Sequence, residues 1–474
     1  MQLVSAQTIE ALDTKISIEN RPDGYHTILG KKGDFVYSYI VEGMPFYEST
    51  RKPKVILKKL NPNDLSEVSS KEILIAKKIV YHFQPVVKMT DIGFSIVYSS
   101  SADKSLSVSF IKVDMNFNES SRTKLFSIPN NSFNRGSSIE ILNDFNNSGC
   151  FAFKSFNEKS ETNKLILIDE SGKLAMEHEF KRDPSYTELV CEDVEITESS
   201  FTCLVRQTDI EKKVRQKDDR YDLFLFNRMN KTEISIPINL NERSVNLKNV
   251  RWRTSKNGEL YLAGFFLPGV SDPGKSGLCI IKFNLNDEAL ISENYSDWNS
   301  DDQNYNFDNS NPEFMEPCYF DFNTDGSLTL ISNYRELQYL RASNGFDQKV
   351  FFYKTIVATQ VNRNGEIVAN SYLPRMHETS NGDNNGQLIM ARKGDLVKFV
   401  YSEEEIFKVC LYEIETGEFI SEVADIRATR EPGEIRTINT GKRYVEQLDS
   451  NTYYLTFTRK LGGSHNNLWI KVKF

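Results

Sequence analysis

A short polar turn followed by two apolar strands recurs about eight times along the chain. Each unit starts with a turn that usually contains Gly, then continues into an apolar strand, a polar loop of variable length and a second apolar strand. A repeat at this interval predicts one supersecondary unit per repeat, with neighbouring units packed on each other. The turns, which lie about 50 to 68 residues apart, are Lys32-Gly33-Asp34, Ile92-Gly93-Phe94, Ser148-Gly149-Cys150, Ser199-Ser200, Asn257-Gly258-Glu259, Asp325-Gly326-Ser327, Lys393-Gly394-Asp395 and Ser450-Asn451.

The apolar segments after these turns predict two long strands in every unit. The first strands cover 35–41, 94–98, 151–153, 201–205, 260–266, 328–331, 396–401 and 453–457. The second strands cover 55–57, 108–113, 165–168, 223–226, 278–283, 350–357, 407–412 and 468–474. A short stretch before each turn and another after each second strand complete four antiparallel strands per unit.

Four strands per repeat are typical of a β-propeller blade. The sequence therefore predicts an all-β fold, a single closed propeller of four-stranded antiparallel blades over residues 8–474. Eight blades are favoured, and seven are the alternative because long insertions blur the boundary between the sixth and seventh units. The N-terminal segment 8–18 has no blade of its own, so we expect it to join the C-terminal blade and close the ring.

Composition agrees with an all-β fold and excludes some partners. Aromatic residues make up 12% of the chain, and Tyr and Phe suit half-buried strands. The net charge of -8 offers no broad positive field for a phosphate backbone, so we expect no nucleic-acid partner. The sequence has no run of 18 apolar residues, and we expect no transmembrane segment.

The first seven residues end in Val4-Ser5-Ala6-Gln7, a Val-x-Ala step like the cleavage site of a secretory signal. The charged and apolar regions that should precede such a site are missing, so a late start codon or a chance match are alternatives. The step favours an exported protein, periplasmic or associated with the outer membrane, and a cytoplasmic protein is the alternative.

The six cysteines are dispersed and contain no Cys-x-x-Cys pair, which argues against a zinc or iron–sulfur site. Cys191 and Cys203 would lie on neighbouring strands if the hairpin turns near Glu198. A cross-strand disulfide is one interpretation of this spacing. Buried small apolar side chains are the favoured one.

One segment matches the phosphate-binding loop at every required position, with Gly269, Gly274, Lys275 and Ser276. That loop needs a helix to follow it, so that backbone amides and the helix N-terminus face the phosphates. The residues that follow here, 278–283, read as a strand. We therefore expect a connection between two strands and no nucleotide binding.

A loop after the fifth unit concentrates carboxylates, amides and aromatic rings. Oxygen ligands suit calcium, and aromatic rings beside them suit a sugar or a protein surface. Its spacing does not match the EF-hand loop, and a solvated loop is the favoured interpretation. The residues of this candidate ligand-binding loop are Asp297, Trp298, Asp301, Asp302, Tyr305 and Phe307.

The sequence contains no catalytic motif. The five histidines form no His-Glu-x-x-His pair, and there is no Gly-x-Ser-x-Gly elbow. The segment from Tyr412 to Phe419 matches a quinoprotein docking repeat only once and without its Trp, so no cofactor is indicated. Function is expected in four polar insertions, at 206–220, 297–311, 336–348 and 376–385.

In strand and turn rhythm the chain resembles bacterial eight-bladed β-propellers with irregular, quinoprotein-like repeats. That group includes non-enzymatic envelope proteins such as an outer-membrane assembly lipoprotein, although no lipobox Cys lies near Met1. The resemblance implies a fold and no site residues. The leading hypothesis is a non-catalytic binding or scaffold protein of the cell envelope, which holds a protein or glycan through its loop-bearing faces. The alternative is a glycan-active hydrolase or lyase with its site in the central funnel.

Overall fold

The structure, a computed structural model, describes the chain in separate stretches that together form 35 strands and no α-helix. It divides into two compact units, Leu29–Asn239 and Met1–Ile28 with Leu240–Phe474, named here the 29–239 unit and the 240–474 unit. The described residues are 7–12, 14–21, 27–42, 54–63, 65–75, 85–102, 105–129, 138–142, 149–157, 162–183, 186, 188–208, 219–238, 246–255, 257–267, 276–285, 287, 289–297, 314–341, 347–379, 388–403, 406–424, 435–439, 446–449, 452–461 and 464–474.

The N-terminal hairpin, β1 (Gln7–Ala11) and β2 (Thr14–Arg21), belongs to the 240–474 unit. The 29–239 unit contains four antiparallel sheets of four strands each. Its strands are β3 (Thr27–Lys32), β4 (Phe35–Glu42), β5 (Lys54–Leu60), β6 (Glu67–Leu74), β7 (Val86–Met89), β8 (Gly93–Ala102), β9 (Ser105–Asp114), β10 (Glu119–Pro129), β11 (Ser138–Leu142), β12 (Phe151–Asn157), β13 (Thr162–Ile168), β14 (Leu174–Phe180), β15 (Glu188–Ile196), β16 (Ser200–Thr208), β17 (Arg220–Asn227) and β18 (Thr232–Ile238).

The 240–474 unit contains sheets of four, five, four and six strands among its described residues. Its remaining strands are β19 (Asn246–Thr254), β20 (Glu259–Leu267), β21 (Gly277–Asn284), β22 (Ala289–Asp297), β23 (Met315–Phe322), β24 (Leu328–Tyr334), β25 (Glu336–Arg341), β26 (Asp347–Val361), β27 (Ile367–Thr379), β28 (Ile389–Lys393), β29 (Leu396–Glu403), β30 (Ile406–Glu413), β31 (Glu418–Ala424), β32 (Ile435–Asn439), β33 (Glu446–Asp449), β34 (Thr452–Leu461) and β35 (Ser464–Lys473).

The prediction of an all-β fold built from four-stranded antiparallel repeats is confirmed. Every predicted long strand coincides with an observed one. Seven sheets contain the four-stranded meander, and in one of them β25 is added beside β26. The C-terminal sheet departs from the prediction, since it has six strands in the order β1-β2-β35-β34-β32 with β33 also paired to β34.

The N-terminal segment pairs with the C-terminal strand, as the sequence predicts for 8–18. Lys15 of β2 lies opposite Lys473 of β35 in an antiparallel ladder. At the hairpin tip, the Leu12 amide donates a hydrogen bond to Glu422 Oε2 at 2.6 Å, and Lys398 Nζ donates to the Leu12 carbonyl at 3.4 Å. The first strands are therefore tied both to the last strand and to the sheet β28–β31.

Two of the predicted polar insertions are partly strands, which corrects the sequence interpretation. The segment 336–348 begins with β25, whose Leu337 lies opposite Phe351 of β26. The segment 376–385 begins inside β27, where His377 lies opposite Tyr353. Both errors have one cause: β26 is 15 residues long and offers its first half as an extra pairing edge that polar composition does not reveal.

Each meander has two different ends. One end carries the short turn between the first and second strands and the turn between the third and fourth; we call it the turn end. The other end, the loop end, carries the connection between the second and third strands and the exit to the next sheet. All four predicted insertions start at loop ends.

One five-residue turn recurs at the turn ends. In each copy the first amide donates to the fifth carbonyl, and the fourth amide donates to the first carbonyl at 2.9 to 3.1 Å. The fourth residue has a positive φ, as Gly172 shows at 81°, but the copy in the sheet β7–β10 has Phe117 there, at 66°. The copies are Asp114–Asn118, Asp169–Lys173, Ser255–Glu259, Asn323–Ser327 and Asn362–Glu366.

Phe117 has an unfavourable positive φ, and burial of its ring in the core compensates for the cost. Its side chain is 4% exposed and its ring centroid lies 5.6 Å from that of Phe94 and 6.3 Å from that of Tyr37. A left-handed residue other than Gly costs roughly 1–2 kcal/mol, less than burying a Phe ring contributes. The turn end of the sheet β7–β10 is thus packed against the core through Phe117.

All six cysteines lie within the described residues, and none is in a disulfide. Cys191 lies opposite Val205, and Cys203 lies opposite Val194, so the proposed pair is out of register. Burial raises the pKa of the Cys410 thiol to about 12. The cysteines therefore match the favoured interpretation, small apolar side chains, better than the disulfide.

Candidate functional site

The interface between the sheets β11–β14 and β15–β18 changes character along its length. Near the turn ends it is apolar and closed, and the buried side chains of its cluster are at most 4% exposed. The members of this cluster include Leu165, Leu167, Val194, Ile196, Phe201 and Cys203. Toward the loop ends, the same strand faces carry polar and charged side chains.

The last row of the sheet β11–β14 before the loop end crosses all four strands. Phe156 lies opposite Ser138 on one side and Asn163 on the other, and Asn163 lies opposite Phe180. Directly opposed residues in an antiparallel pair project from the same face. The row therefore presents a hydroxyl, a ring, an amide and a second ring side by side.

The facing sheet presents a second polar row, in which Gln207 lies opposite Leu189 and Arg220. Two cavities, of about 310 Å³ and about 490 Å³, lie between the rows. The first cavity is lined by Ser138, Glu140, Lys154, Phe156, Asn163, Arg182, Glu188 and Leu189. The second cavity is lined by His178, Glu179, Phe180, Lys181, Arg182, Asp183, Gln207, Arg220, Asp222 and Ser235.

Two buried amides form the deepest polar groups of the cavities. Asn163 and Gln207 are each 5% exposed. Neither side-chain amide is among the buried polar atoms of the described residues that lack a hydrogen-bond partner. Gln207 Oε1 accepts a bond of 2.8 Å from the Asp183 amide, and its Nε2 makes none within the described part of the chain. Polar groups in the wall of a cavity can form hydrogen bonds with water or with a ligand that enters it.

The charged groups of the first cavity balance each other. Glu140 lies opposite Lys154, and Lys154 Nζ donates to the Leu189 carbonyl of the facing sheet. Arg182 adds a second cation and Glu188, which is exposed, adds a second carboxylate. The cavity thus has two positive and two negative groups around a neutral amide and a ring.

The second cavity is bounded by an ion pair and an aromatic cluster. His178 Nδ1 lies 2.7 Å from Glu233 Oε2, and the His178 ring centroid lies 4.4 Å from that of Phe224. Arg220 Nε lies 3.4 Å from Asp222 Oδ2. Arg182 lines both cavities, so they are neighbours on the same interface.

The insertion predicted at 206–220 leaves the sheet beside these cavities. Its first residues, through Thr208, complete β16, and 209–218 lie outside the described residues. A buried ion pair of 2.9 Å joins Arg206 Nη1 to Asp219 Oδ2, whose side chain is 1% exposed. The pair fixes both ends of the insertion at the loop end of the sheet.

The 240–474 unit has a corresponding interface, between the sheets β23–β27 and β28–β31, that is filled. Near the loop ends, Arg375 is 3% exposed and its guanidinium lies 4.8 Å from the ring centroid of Tyr353 and 5.2 Å from that of Tyr401. Its Nη1 donates to Asn333 Oδ1 at 3.0 Å. A buried cation between two rings fills the space near these loop ends.

Of the predicted ligand-binding loop, the structure describes only Asp297, which is exposed at the end of β22 and lies opposite Gly277. Trp298, Asp301, Asp302, Tyr305 and Phe307 lie outside the described residues. In the phosphate-loop match, Gly269, Gly274 and Lys275 also lie outside them. The strand predicted to follow it is confirmed as β21.

Sequence reasoning missed the cavity residues because most of them lie inside or directly beside predicted strands. One signal was available at Asn163, which shares the face of Leu165 and Leu167 and breaks an otherwise apolar alternation. Gln207 follows Phe201, Cys203 and Val205 in the same way. A polar residue on the buried parity of a strand marks a cavity or a buried hydrogen bond.

Among the described residues, no helix is long and apolar enough to cross a membrane, and no three His, Cys, Asp or Glu side chains cluster as a metal site.

No protein-family model matches the sequence, and no curated protein matches it. Among solved structures, the chain is similar to the WD40 domain of SCAP from fission yeast, at 7% identity and a TM-score of 0.39, over 96% of this chain and 98% of that one. It is also similar to the polysaccharide lyase Uly1, at 10% identity and 0.37, over 82% and 89%. The β-propeller domain of the Trilobed protease from Pyrococcus furiosus matches at 9% identity and 0.33, over 84% and 95%. At these identities the matches concern the fold alone.

Proposed function

We propose that this chain is a closed, eight-bladed β-propeller that acts as a non-catalytic binding or scaffold protein of the bacterial cell envelope. Its partner, a protein or a glycan, is held at the loop ends of the sheets. One observation carries this proposal: the described loop ends of β11–β18 contain two polar cavities with buried amides, while the turn ends are closed by apolar packing.

Closure of the ring is supported by the pairing of β2 with β35, which joins the N-terminal hairpin to the last strand of the chain. The predicted loop with Asp297, Trp298, Asp301, Asp302, Tyr305 and Phe307 starts at the loop end of the sheet β19–β22 and is proposed as a separate ligand-binding segment of the 240–474 unit. Export is proposed from the Val-x-Ala step at Val4 to Ala6.

Site-specific photo-cross-linking in the native bacterium tests the binding surface. A benzophenone amino acid replaces Lys181, which is exposed and lines the second cavity, or Met229, which is 79% exposed at a turn end. We expect discrete adducts with an envelope component from position 181 and none from 229. Equal adducts from both positions, or adducts with cytosolic proteins alone, would contradict the proposal.

One observation supports the alternative of a glycan-active enzyme: two carboxylates line the first cavity. Glycosidases use a carboxylate pair flanking the scissile bond, and Glu140 and Glu188 are the pair available here. Incubation with polysaccharides, followed by detection of new reducing ends or unsaturated sugars, distinguishes the binding protein from the glycan-active enzyme. We expect no products; products that disappear in Glu140→Gln or Glu188→Gln would establish the enzyme instead.

A further inference from the structure

We propose that the first and second cavities are adjoining subsites for one neutral, linear oligosaccharide, with Asn163 and Gln207 as the hydrogen-bonding residue of each subsite and Arg182 between them. This proposal rests on the proposed function, because it places the ligand at a loop end. It deepens that function by naming the chemical class of the ligand.

Size and position favour a chain-like ligand. The first cavity, about 310 Å³, lies at the lower limit of small-molecule sites, about 300–1,000 Å³, and the second adds about 490 Å³ beside it. Because Arg182 lines both, a single molecule can pass from one to the other. A compact metabolite would need one cavity only.

The lining favours hydroxyl groups over charged ones. Each sugar hydroxyl both donates and accepts, and the lining mixes donors such as Lys154 and Asn163 with acceptors such as Glu140 and Asp222. Positive and negative groups are balanced in the first cavity. A phosphate ligand would meet several carboxylates, and an apolar peptide would find few apolar partners.

The aromatic residues of the row fit the flat carbon faces of sugar rings. Phe156 and Phe180 flank Asn163 on neighbouring strands, and strands lie about 4.8 Å apart, so the backbones at the two Phe residues are about 9.6 Å apart along the row. That separation is close to the length of two linked pyranose rings. Phe156 lines the first cavity and Phe180 the second.

Two variants separate ligand binding from folding. Asn163→Leu keeps the size of the side chain and removes its hydrogen-bonding amide. Gln207→Glu keeps the acceptor for the Asp183 amide and replaces the donor that faces the second cavity with a charged oxygen, so its urea midpoint is measured beside that of wild type. Asn364→Leu, at an exposed turn-end asparagine, is the matched control.

Isothermal titration calorimetry with neutral glucan, mannan and xylan oligomers, from dimers to hexamers, tests the proposal. We expect affinity to rise with length for one series, and Asn163→Leu to weaken every length by about tenfold or more, as loss of a buried hydrogen bond does. Gln207→Glu should weaken only the longer oligomers, and Asn364→Leu should bind like wild type.

The outcomes distinguish this proposal from the function on which it rests. If no oligomer binds, or if binding is unchanged in Asn163→Leu, the saccharide subsites are wrong, and cross-linking at position 181 still tests the binding function. If an oligomer binds in the predicted way and is cleaved, the subsites are right and the non-catalytic function is wrong.

Discussion

Two interfaces between neighbouring sheets differ in how they end. Between β11–β14 and β15–β18, the loop end is open, with Asn163 and Gln207 facing cavities. Between β23–β27 and β28–β31, Arg375 fills the space between Tyr353 and Tyr401. The loop end of one interface is packed by a long stacked cation on the fourth strand, and the loop end of the other is lined by a short amide on the third strand.

The largest effect is expected where the interface is filled. Arg375→Ala removes two cation–π contacts and leaves Asn333, which is 0% exposed, without the guanidinium donor. We expect the free energy of unfolding to fall by about 3–4 kcal/mol, measured by urea denaturation. Arg182→Ala, at the open interface, should cost less than about 1 kcal/mol. Equal losses would erase the distinction between the interfaces.

The closed turn ends offer a second contrast. Phe117→Gly relieves the positive φ but removes a ring that packs on Phe94 and Tyr37. We expect a net loss of about 2–3 kcal/mol in urea unfolding, because losing the ring outweighs relief of the backbone. Phe117→Leu should lose less. A more stable Phe117→Gly would mean that strain dominates this turn.

A smaller, pH-dependent effect is expected at Glu336, on the added strand β25. Burial alone would raise its pKa, but hydrogen bonds from Lys354, Gln338 and Tyr334 lower it below the usual value of about 4.3. A lowered folded-state pKa contributes stability that is present above the unfolded value and is lost as the pH falls through the folded value. Glu336→Gln should therefore show a weaker loss of stability below about pH 4 than wild type. Identical urea midpoints of the two proteins across that range would show that Glu336 does not contribute to the loss of stability at low pH.

The strands could be predicted because their causes are local. Apolar alternation and turns such as the one at Gly258 are visible within a few residues of sequence. Phe117 was invisible because a contact with Phe94, in another strand, decides its backbone. The extra strand β25 was missed because a charged residue such as Glu336 is typical of a loop. Its ion pair with Lys354 of β26, which balances the charge, is not visible in the sequence.

The candidate site could not be predicted because cross-strand register creates it. Ser138, Phe156, Asn163 and Phe180 span more than 40 residues of sequence and meet only through three successive ladders. The predicted insertions start at the loop ends, where the proposed site also lies. The positions of the insertions could not show which interface stays open. That depends on the size of the side chains at each loop end, such as Asn163 at one interface and Arg375 at the other.

The stability of Asn163→Leu tests most directly whether the Asn163 amide binds a ligand or stabilises the fold. If the Asn163 amide makes no structural hydrogen bond, an apolar side chain of similar size should leave the stability of the fold unchanged or raise it. We expect the unfolding free energy of Asn163→Leu in urea denaturation to equal or exceed that of wild type. A loss of more than about 2 kcal/mol, the effect of removing a structural hydrogen bond, would contradict it.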